Sequence, residues 1–346
     1  MFADVLGHES CVAEFARALA DERLPHALLL TGKRGVGKRL VADALAQAVL
    51  CDGRTEHDAC GACESCQPFV HGAHPDFDVV RRQEGKRDIG IEQIRVLTER
   101  LALKGHRGRG KIAIIDDADR LTVAGQNAFL KTLEEPPAGS TLILVSSNAE
   151  RLLPTVRSRC SIFRFGPLDE GTLAAFVKRR GVDASRVPLS LAQGAPGRLL
   201  DLISPDVVQA REAALRFALR PTATSPFDFA ADFLELADLG ARGQEEEELP
   251  GEEIRERARD RLRLYLRLLG STFRDLKIRS LGIFDAPLLH SDREAELSAA
   301  AEELHPDCYE AAAEACDQAV IELYRNVDRA LLLEDAARRM REELAG

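Results

Sequence analysis

The sequence predicts an α/β fold built around a glycine-rich loop, followed by domains that are entirely helical. Two observations predict the α/β part. A glycine-rich turn separates a buried strand from a helix within residues 28–50, and a second apolar strand at 111–119 ends in acidic side chains. A third observation predicts the helical part, because the apolar spacing is that of helices from about residue 208 onward.

The composition is that of an ordinary soluble protein. The 346 residues suffice for two or three domains, with 45% apolar and 30% charged residues. The net charge of −10 argues against broad electrostatic adhesion to DNA. Because the sequence shows neither a signal peptide nor an apolar run of membrane-spanning length, we predict a cytoplasmic protein with no membrane partner. In that compartment the eight cysteines are expected to be thiols or metal ligands rather than disulfides.

The glycine-rich turn has the sequence GKRGVGK and matches the phosphate-binding P-loop pattern. Gly32, Gly35 and Gly37 let successive backbone N–H groups point into one concavity, and the following helix turns its positive end toward an anion. Lys38 adds a point charge for the outer phosphates. The pattern requires Ser or Thr next, as a hydroxyl ligand for Mg²⁺, but here Arg39 offers no lone pair. We therefore predict a P-loop fold that does not drive hydrolysis.

Four of the eight cysteines lie together directly after the P-loop helix. Cys51, Cys60, Cys63 and Cys66 have the spacing C-x8-C-x2-C-x2-C, in which each C-x2-C step aims two sulfurs at one ion. Four thiolates complete a closed tetrahedral shell with no open position for water, so we predict a structural zinc ion. An iron–sulfur cluster and four unrelated thiols are the alternatives.

A second half of a nucleotide site is predicted at the carboxyl ends of two further strands. The strand at 111–119 ends in Asp116, which would hold Mg²⁺ through water, and in Asp117, where a glutamate usually polarises the attacking water. Asn148 follows a buried strand at 141–145, at the edge where α/β sheets bind ligands. An apolar strand ending in two acids is a weak signal alone, but it gains weight beside a P-loop.

The remaining amino-terminal pattern is that of helices with one short strand. Helical spacing predicts helices at 9–22, 89–103 and 121–133, and a strand is expected at 78–80. The basic run KGHRGRGK at 104–111 is interpreted as a solvated turn between a helix and a strand, with a nucleic-acid patch as the alternative.

The carboxy-terminal pattern is helical throughout. Short helices are predicted over 168–205, a linker at 221–226, and an arginine-rich helix at 254–269. We interpret those arginines as a solvated face with interhelical ion pairs rather than a DNA site. A single last helix is predicted over 321–344.

Taken together, these segments resemble the AAA+ clamp-loader family. An ordered set of motifs carries the resemblance and covers residues 1 to about 166 densely. The motifs are LPHALLLTG at 24–32, the four-cysteine module, IIDDAD at 114–119, NAFLKTLEEPP at 127–137 and LLPTVRSRC at 152–160.

The resemblance implies a mechanism that is shared between subunits. Clamp loaders are rings in which ATP lies at the junction between neighbours, and ATP binding is coupled to opening of the sliding clamp. The family's Ser-Arg-Cys triplet supplies an arginine in trans, which in this chain is Arg159. A bidentate cation there would face the charge that develops on the transferred phosphoryl group. The implied partners are delta and gamma/tau-type subunits in a hetero-oligomeric ring of the bacterial DNA polymerase III holoenzyme, the sliding clamp, and primed DNA through the complex.

The resemblance also implies a division into three domains. Residues 1–166 would form the AAA+ P-loop domain with the zinc module at 51–66 inserted, 167–207 a helical lid, and 208–346 a helical collar through which the subunits oligomerise. A family arginine that senses nucleotide from the lid has a counterpart in the segment GAPGR at 194–198, although one extra residue precedes Arg198.

Three functions are weighed against one another. The first is a rigid clamp-loader subunit that contributes Arg159 and hydrolyses little ATP, which fits the replacements Arg39 and Asp117. The second is an active motor ATPase of gamma/tau type; the retained Gly37 and Lys38 leave the binding of ATP with Mg²⁺ open. The third is a zinc-dependent DNA-binding module, against which the acidic net charge and the scarcity of aromatics among the basic residues argue.

Overall fold

A computed structural model describes residues 1–55, 58–83, 86–106, 110–242, 251–325 and 327–345. The central part of the predicted basic turn, residues 107–109, lies outside these ranges. The chain divides into two compact units, Met1–Phe176 with Gly194–Arg198 and Val177–Gln193 with Leu199–Gly346. The finer division into lid and collar stays a prediction.

The first unit contains a five-stranded parallel sheet, which confirms the predicted α/β class. The strand order is β2-β3-β4-β1-β5, so the strand that leads into the P-loop is paired on both sides. The sequence analysis did not predict the edge strand β5. Its side chains alternate between part-buried and exposed positions, and Ile162 is exposed. The strands are β1 Ala27–Gly32, β2 Phe77–Val80, β3 Ile112–Ile115, β4 Thr141–Ser146 and β5 Ser161–Phe165.

Helices cover both faces of this sheet and confirm the helical predictions to within a few residues at each end. Local interactions explain the bounds of the helix α5. The Thr122 side chain accepts a hydrogen bond from the Gly125 N–H at 3.1 Å, and two prolines follow its last residue, Glu134. The helices are α1 Glu9–Ala20, α2 Lys38–Leu50, α3 Cys66–Val70, α4 Ile91–Ala102, α5 Val123–Glu134 and α6 Pro154–Arg157.

The strand β1 shows how the sheet is buried on both faces. Leu28 and Leu30 belong to one apolar cluster together with side chains of α1 and α2. Ala27 and Leu29 belong to a second cluster together with side chains of α4 and α5. Successive side chains of a strand point to opposite faces, so a continuous apolar run is what a central parallel strand requires. The strand β1, which leads into the P-loop, therefore lies between two packed layers.

The second unit is helical, as predicted from residue 208 onward. Its core includes aromatic rings packed against one another at a tilt, with centroids 4.5 Å apart for Phe217 and Phe229 and 4.3 Å apart for Phe229 and Phe233. The predicted linker at 221–226 is the connection into a helix that begins at Pro226. Two helices contain a boundary between the units along the chain, namely α7 Glu170–Arg180 and α8 Pro196–Leu202. The remaining helices of the second unit are α9 Pro205–Leu219, α10 Pro226–Arg242, α11 Gly251–Ser280, α12 Glu294–Ala301, α13 Pro306–Glu322 and α14 Arg329–Glu343.

The prediction of one last helix over 321–344 is wrong. The helix α13 ends at Glu322 and α14 begins at Arg329. The Asp328 carboxylate accepts hydrogen bonds from the N–H groups of Ala330 and Leu331 at 2.9 and 3.0 Å, so it caps a new helix.

The arginine-rich helix is longer than predicted, and not all of its arginines are solvated. Arg263 is buried, with its guanidinium 4.0 Å from the centre of the Tyr324 ring and 2.5 Å from the Asp260 carboxylate. Arg279 is also buried and pairs with Glu294 at 2.7 Å. Within the predicted span 254–269, the expectation of ion pairs between helices is met at Arg261, whose Nε lies 3.3 Å from the Asp206 carboxylate on α9, whereas the expectation of a solvated face is wrong at Arg263.

In the part of the chain that the structure describes, no helix is both long enough and apolar enough to cross a bilayer.

Candidate nucleotide site and metal centre

The P-loop connects β1 to α2 as the sequence predicted. Gly35 and Gly37 have φ values of +82° and +105°, in the left-handed region that favours glycine. Gly37 is the N-terminal cap of α2, whose first residue is Lys38. The described backbone therefore has the curved form from which N–H groups can surround an anion.

Lys38 is folded back onto this loop. Its side chain is buried, and Nζ donates hydrogen bonds to the carbonyl oxygens of Gly32 and Lys33 at 2.6 and 2.7 Å. Burial lowers the pKa of the Lys38 ammonium to about 8, and the negative charges of Asp119, Asp117 and Asp116 partly offset that effect.

Arg39 connects the P-loop helix to the acidic end of β3. Its Nε lies 2.9 and 3.0 Å from the two carboxylate oxygens of Asp43, and its Nη1 lies 2.9 Å from Oδ2 of Asp116. Burial raises the pKa of the Asp43 carboxyl, and the charge of Arg39 acts against that rise. The sequence analysis missed Asp43, although its position four residues after Arg39 on a helix is a signal for an ion pair.

The residues at this site do not fit Mg²⁺. A P-loop site holds that ion with a hydroxyl after the lysine and with the acid at the strand end. Here the first ligand is absent, and the second, Asp116, already accepts a hydrogen bond from a guanidinium group that remains charged. Arg39 thus stands where the hydroxyl ligand is expected and also contacts the remaining acid, and its effect on metal binding stays a prediction.

The other predicted nucleotide-site residues have different surroundings. Asp117 adopts a left-handed backbone with φ +55°, and its carboxylate lies 3.8 Å from the Nε of Arg82. The Asn148 side chain accepts a hydrogen bond from the Glu150 N–H at 3.1 Å and so caps a 3₁₀ turn. The nucleotide-site roles of Asp117 and Asn148 stay predictions. The side-chain carbonyl of Asn148 already accepts a hydrogen bond from its own chain.

Two further segments contact the P-loop. The one that contains His8 was not predicted from the sequence, and the one at 194–198 was left in doubt. His8 has its Nε2 atom 2.8 Å from the carbonyl oxygen of Val36. In the segment at 194–198, the Gly197 N–H donates to the carbonyl oxygen of Gly35 at 2.9 Å. That segment therefore packs against the P-loop backbone, directly before Arg198.

The four cysteines come together as predicted. Their Sγ atoms all lie within 4.8 Å of one another, with Cys51 3.5 Å from Cys60 and 3.8 Å from Cys63. Sulfurs that bind one tetrahedral ion at about 2.3 Å are roughly 3.8 Å apart, so the arrangement fits a metal ion with four thiolate ligands. The helix α2 ends immediately before Cys51 and α3 begins at Cys66, so two helix ends fix the outer pair.

The acidities of the four thiols differ strongly without a metal. Burial raises the pKa of Cys66 to about 12. Burial also acts to raise the pKa of Cys63, but hydrogen bonds from the backbone N–H groups of Cys66, Asp52 and Gly53 outweigh it and lower that pKa to about 6. Metal binding requires all four as thiolates, so the ion would supply the charge that the buried sulfurs need.

Arg159 lies two residues after the end of α6 and is one-third exposed. Its Nη1 donates to the carbonyl oxygen of Thr155 at 2.9 Å, and its Nη2 forms an ion pair with Glu134. Glu134 is the last residue of α5 and belongs to the LEEPP motif, but the sequence analysis gave it no role. The guanidinium of Arg159 is therefore held by contacts to Thr155 and Glu134 and remains partly exposed.

The sheet order and the glycine-rich loop define the first unit as a P-loop α/β domain. Residues 7–169 match the sequence model of a family described as DNA polymerase III, delta subunit. The chain is 38% identical to DNA polymerase III subunit delta' of Escherichia coli over 190 residues, which are 54% of this chain and 57% of that protein. Over this part of its length the chain is therefore similar to DNA polymerase III delta-prime subunits.

Two further comparisons give the range of similarity. DNA polymerase III subunit gamma/tau of Mycobacterium tuberculosis is 35% identical over 178 residues, which are 51% of this chain and 31% of that protein. A solved gamma subunit-related protein of Thermotoga maritima has a TM-score of 0.44 and 15% identity, over 96% of this chain and 99% of that one. The chain spans between about a third and three-fifths of the length of these curated relatives.

Proposed function

We propose that the chain is a clamp-loader subunit of delta-prime type in a bacterial DNA polymerase III holoenzyme. It would act in a hetero-oligomeric ring with delta and gamma/tau-type subunits, which loads the sliding clamp onto primed DNA. The similarity of residues 7–169 to DNA polymerase III delta-prime subunits is the observation that supports this role most directly. The chain would act in the cytoplasm and reach DNA through the complex.

Within that ring, the chain would contribute chemistry to a neighbour rather than perform it at its own P-loop. The ion pair between Arg39 and Asp116 supports the absence of efficient hydrolysis in its own site, because both positions of the Mg²⁺ site are affected. The partly exposed guanidinium of Arg159 supports a role as an arginine finger in trans. Two parallel N–H donors of an arginine fit the oxygens of a phosphoryl group.

The four-cysteine module would hold structural zinc in this subunit. Four thiolates in a closed shell leave no site for a reacting water, so the ion would stabilise the fold and take no part in a reaction. The spacing of the sulfur atoms and the absence of a fifth ligand among the described His, Cys, Asp and Glu residues support this assignment.

The finger is tested by Arg159→Ala in a reconstituted ring with motor subunits, sliding clamp and primed DNA. We expect ATP turnover at the site that Arg159 serves to fall by roughly a thousandfold, since arginine fingers contribute that much or more. Arg159→Lys is expected to restore only a small part of the rate, because lysine is a point charge without the bidentate fork.

Arg157→Ala is the matched control. Arg157 lies two residues earlier and pairs with Glu150 at 2.6 Å, so its loss removes an equal charge from the same turn. We expect normal turnover for this variant, and gel filtration verifies that every variant assembles. Normal ATP turnover in an assembled ring that carries Arg159→Ala would refute the finger. Motor-like turnover by the isolated wild-type chain with Mg²⁺ would favour the active-ATPase alternative.

A further inference from the structure

Arg39 puts a guanidinium group where a P-loop site ordinarily holds a metal ion. The side chain lies between two carboxylates, Asp43 on its own helix and Asp116 at the end of β3, with contacts of 2.9 to 3.0 Å. It is about one-fifth exposed, so solvent reaches the group from one side. The guanidinium is thus a cation held by two carboxylates. It supplies the positive charge that a bound divalent ion would otherwise provide.

A metal ion at Asp116 would lie beside the guanidinium, whose Nη1 already occupies Oδ2 of that carboxylate. Arginine stays protonated at all ordinary pH values and has no acceptor atom, so Arg39 would be a like charge next to the ion. The site therefore disfavours a divalent cation but still carries positive charge.

The part of the site that binds phosphate is intact. Gly35 and Gly37 retain the left-handed backbone of the loop, and the buried Lys38 ammonium lies at its base. On Arg39, Nε and Nη1 make the contacts to the two carboxylates, and among the described residues Nη2 makes no hydrogen bond. Three of the five guanidinium N–H donors, two of them on Nη2, thus remain for an added anion beside those of the loop.

We propose that this P-loop binds the diphosphate group of a nucleotide without a metal ion, with Arg39 as the built-in replacement for Mg²⁺. The ligand class is a nucleoside diphosphate or triphosphate, or pyrophosphate itself. Because Mg²⁺ competes with the protein for the same phosphate oxygens, the metal-free form of the ligand is the preferred one. This inference is independent of Arg159, since it concerns the chain's own loop.

The test is the dissociation constant of ADP, measured by calorimetry on the zinc-loaded full chain in two buffers, one that contains Mg²⁺ and one from which Mg²⁺ was removed with a chelating resin before the protein was added. No EDTA is used, because it would also remove zinc from the chain. We expect binding without Mg²⁺ to be equal to or tighter than with it. Lys38→Ala should weaken binding by about tenfold or more, since a charge-assisted bond to phosphate is lost.

Arg39→Ser restores the hydroxyl and frees Asp116, so ADP binding by this variant should become Mg²⁺-dependent. Arg95→Ala, which removes an exposed arginine that pairs with Glu92 on α4, is the matched control and should behave as wild type. Wild-type binding that requires Mg²⁺ would overturn the proposal. Failure of the folded wild-type chain to bind either ADP or pyrophosphate at millimolar concentration would also overturn it, and would leave the clamp-loader role of Arg159 untouched.

Discussion

At the residue scale, Gly32 shows how tightly the P-loop is joined to the sheet. It ends β1 with φ +151°, a backbone conformation that side chains of L-residues rarely adopt. A Cβ atom at this position would lie 2.2 Å from the carbonyl oxygen of Phe165 on the neighbouring strand β5. That oxygen belongs to the backbone of a strand paired with β1, so neither backbone can move away without a cost in free energy.

Gly32→Ala should therefore destabilise the first unit by about 2 to 4 kcal/mol, the sum of a strained backbone and a backbone clash. Thermal or denaturant unfolding of the purified chain measures the loss. Gly90→Ala is the control, because Gly90 has negative φ and a Cβ there would meet no heavy atom within 4 Å among the described residues. Equal stability of the two variants would contradict the close approach at Gly32.

At the element scale, the cysteine module depends on the helices that flank it. Cys51 directly follows α2 and Cys66 opens α3, and both are buried. The Asp58 carboxylate in the loop between them accepts the N–H groups of Phe2 and Ala3 at 3.0 Å, so the start of the chain is attached to the same module. An ion at the four sulfurs would therefore hold several segments that are distant in sequence.

Replacing Cys51 and Cys66 together by serine should remove the metal and lower the stability of the first unit by roughly 3 kcal/mol or more, since metal binding is coupled to folding. Zinc content by mass spectrometry and denaturant unfolding are the measurements. Cys308→Ser, at a half-buried thiol on α13, should leave both unchanged. DNA affinity of the reconstituted ring should be unaffected as well, and its selective loss with stability intact would favour the zinc-dependent DNA-binding alternative.

At the scale of the whole molecule, the second unit carries a buried polar network that ties α9 and α11 to the loop before α12. His290 is fully buried, with its Nδ1 3.3 Å from the Nε of Arg211 and its Nε2 2.9 Å from the hydroxyl of Ser271. Because Arg211 can only donate, Nδ1 must accept, and the ring is neutral with its proton on Nε2. Burial and the charge of Arg211 lower the pKa of His290 to about 3.

This histidine should make the second unit sensitive to acid. Its pKa is lower in the folded chain than in the unfolded one, so its contribution is complete above about pH 6.5 and is lost as the pH falls toward 3. Between pH 7 and pH 5, wild type should lose about 2 kcal/mol of unfolding free energy relative to His290→Gln, which cannot be protonated. Denaturant unfolding of both chains measures the difference, and a difference that does not change with pH would contradict the buried neutral ring.

The sequence by itself determined the features that depend on local order. Apolar runs fixed β1, β3 and β4, helical spacing fixed most helices, and the motif and cysteine spacing fixed the P-loop and the four-thiol cluster. Each of these rests on residues close along the chain, where periodicity, turn chemistry and ligand spacing can be recognised without knowledge of the fold. The edge strand β5 and the break before Arg329 were missed, because an edge strand is only half buried and a single capping aspartate is a weak signal.

Only the tertiary structure decided which charged groups meet. Arg39 and Asp116 are 77 positions apart, and Glu134 is 25 positions from Arg159, so neither ion pair can be inferred from spacing. The sheet order brings the first pair together, because the carboxyl end of β3 and the start of α2 lie at the same edge of a parallel sheet. The sequence thus determined that the magnesium hydroxyl is absent, and the fold determined what Arg39 does instead, because the partner of a long charged side chain depends on which elements pack beside it.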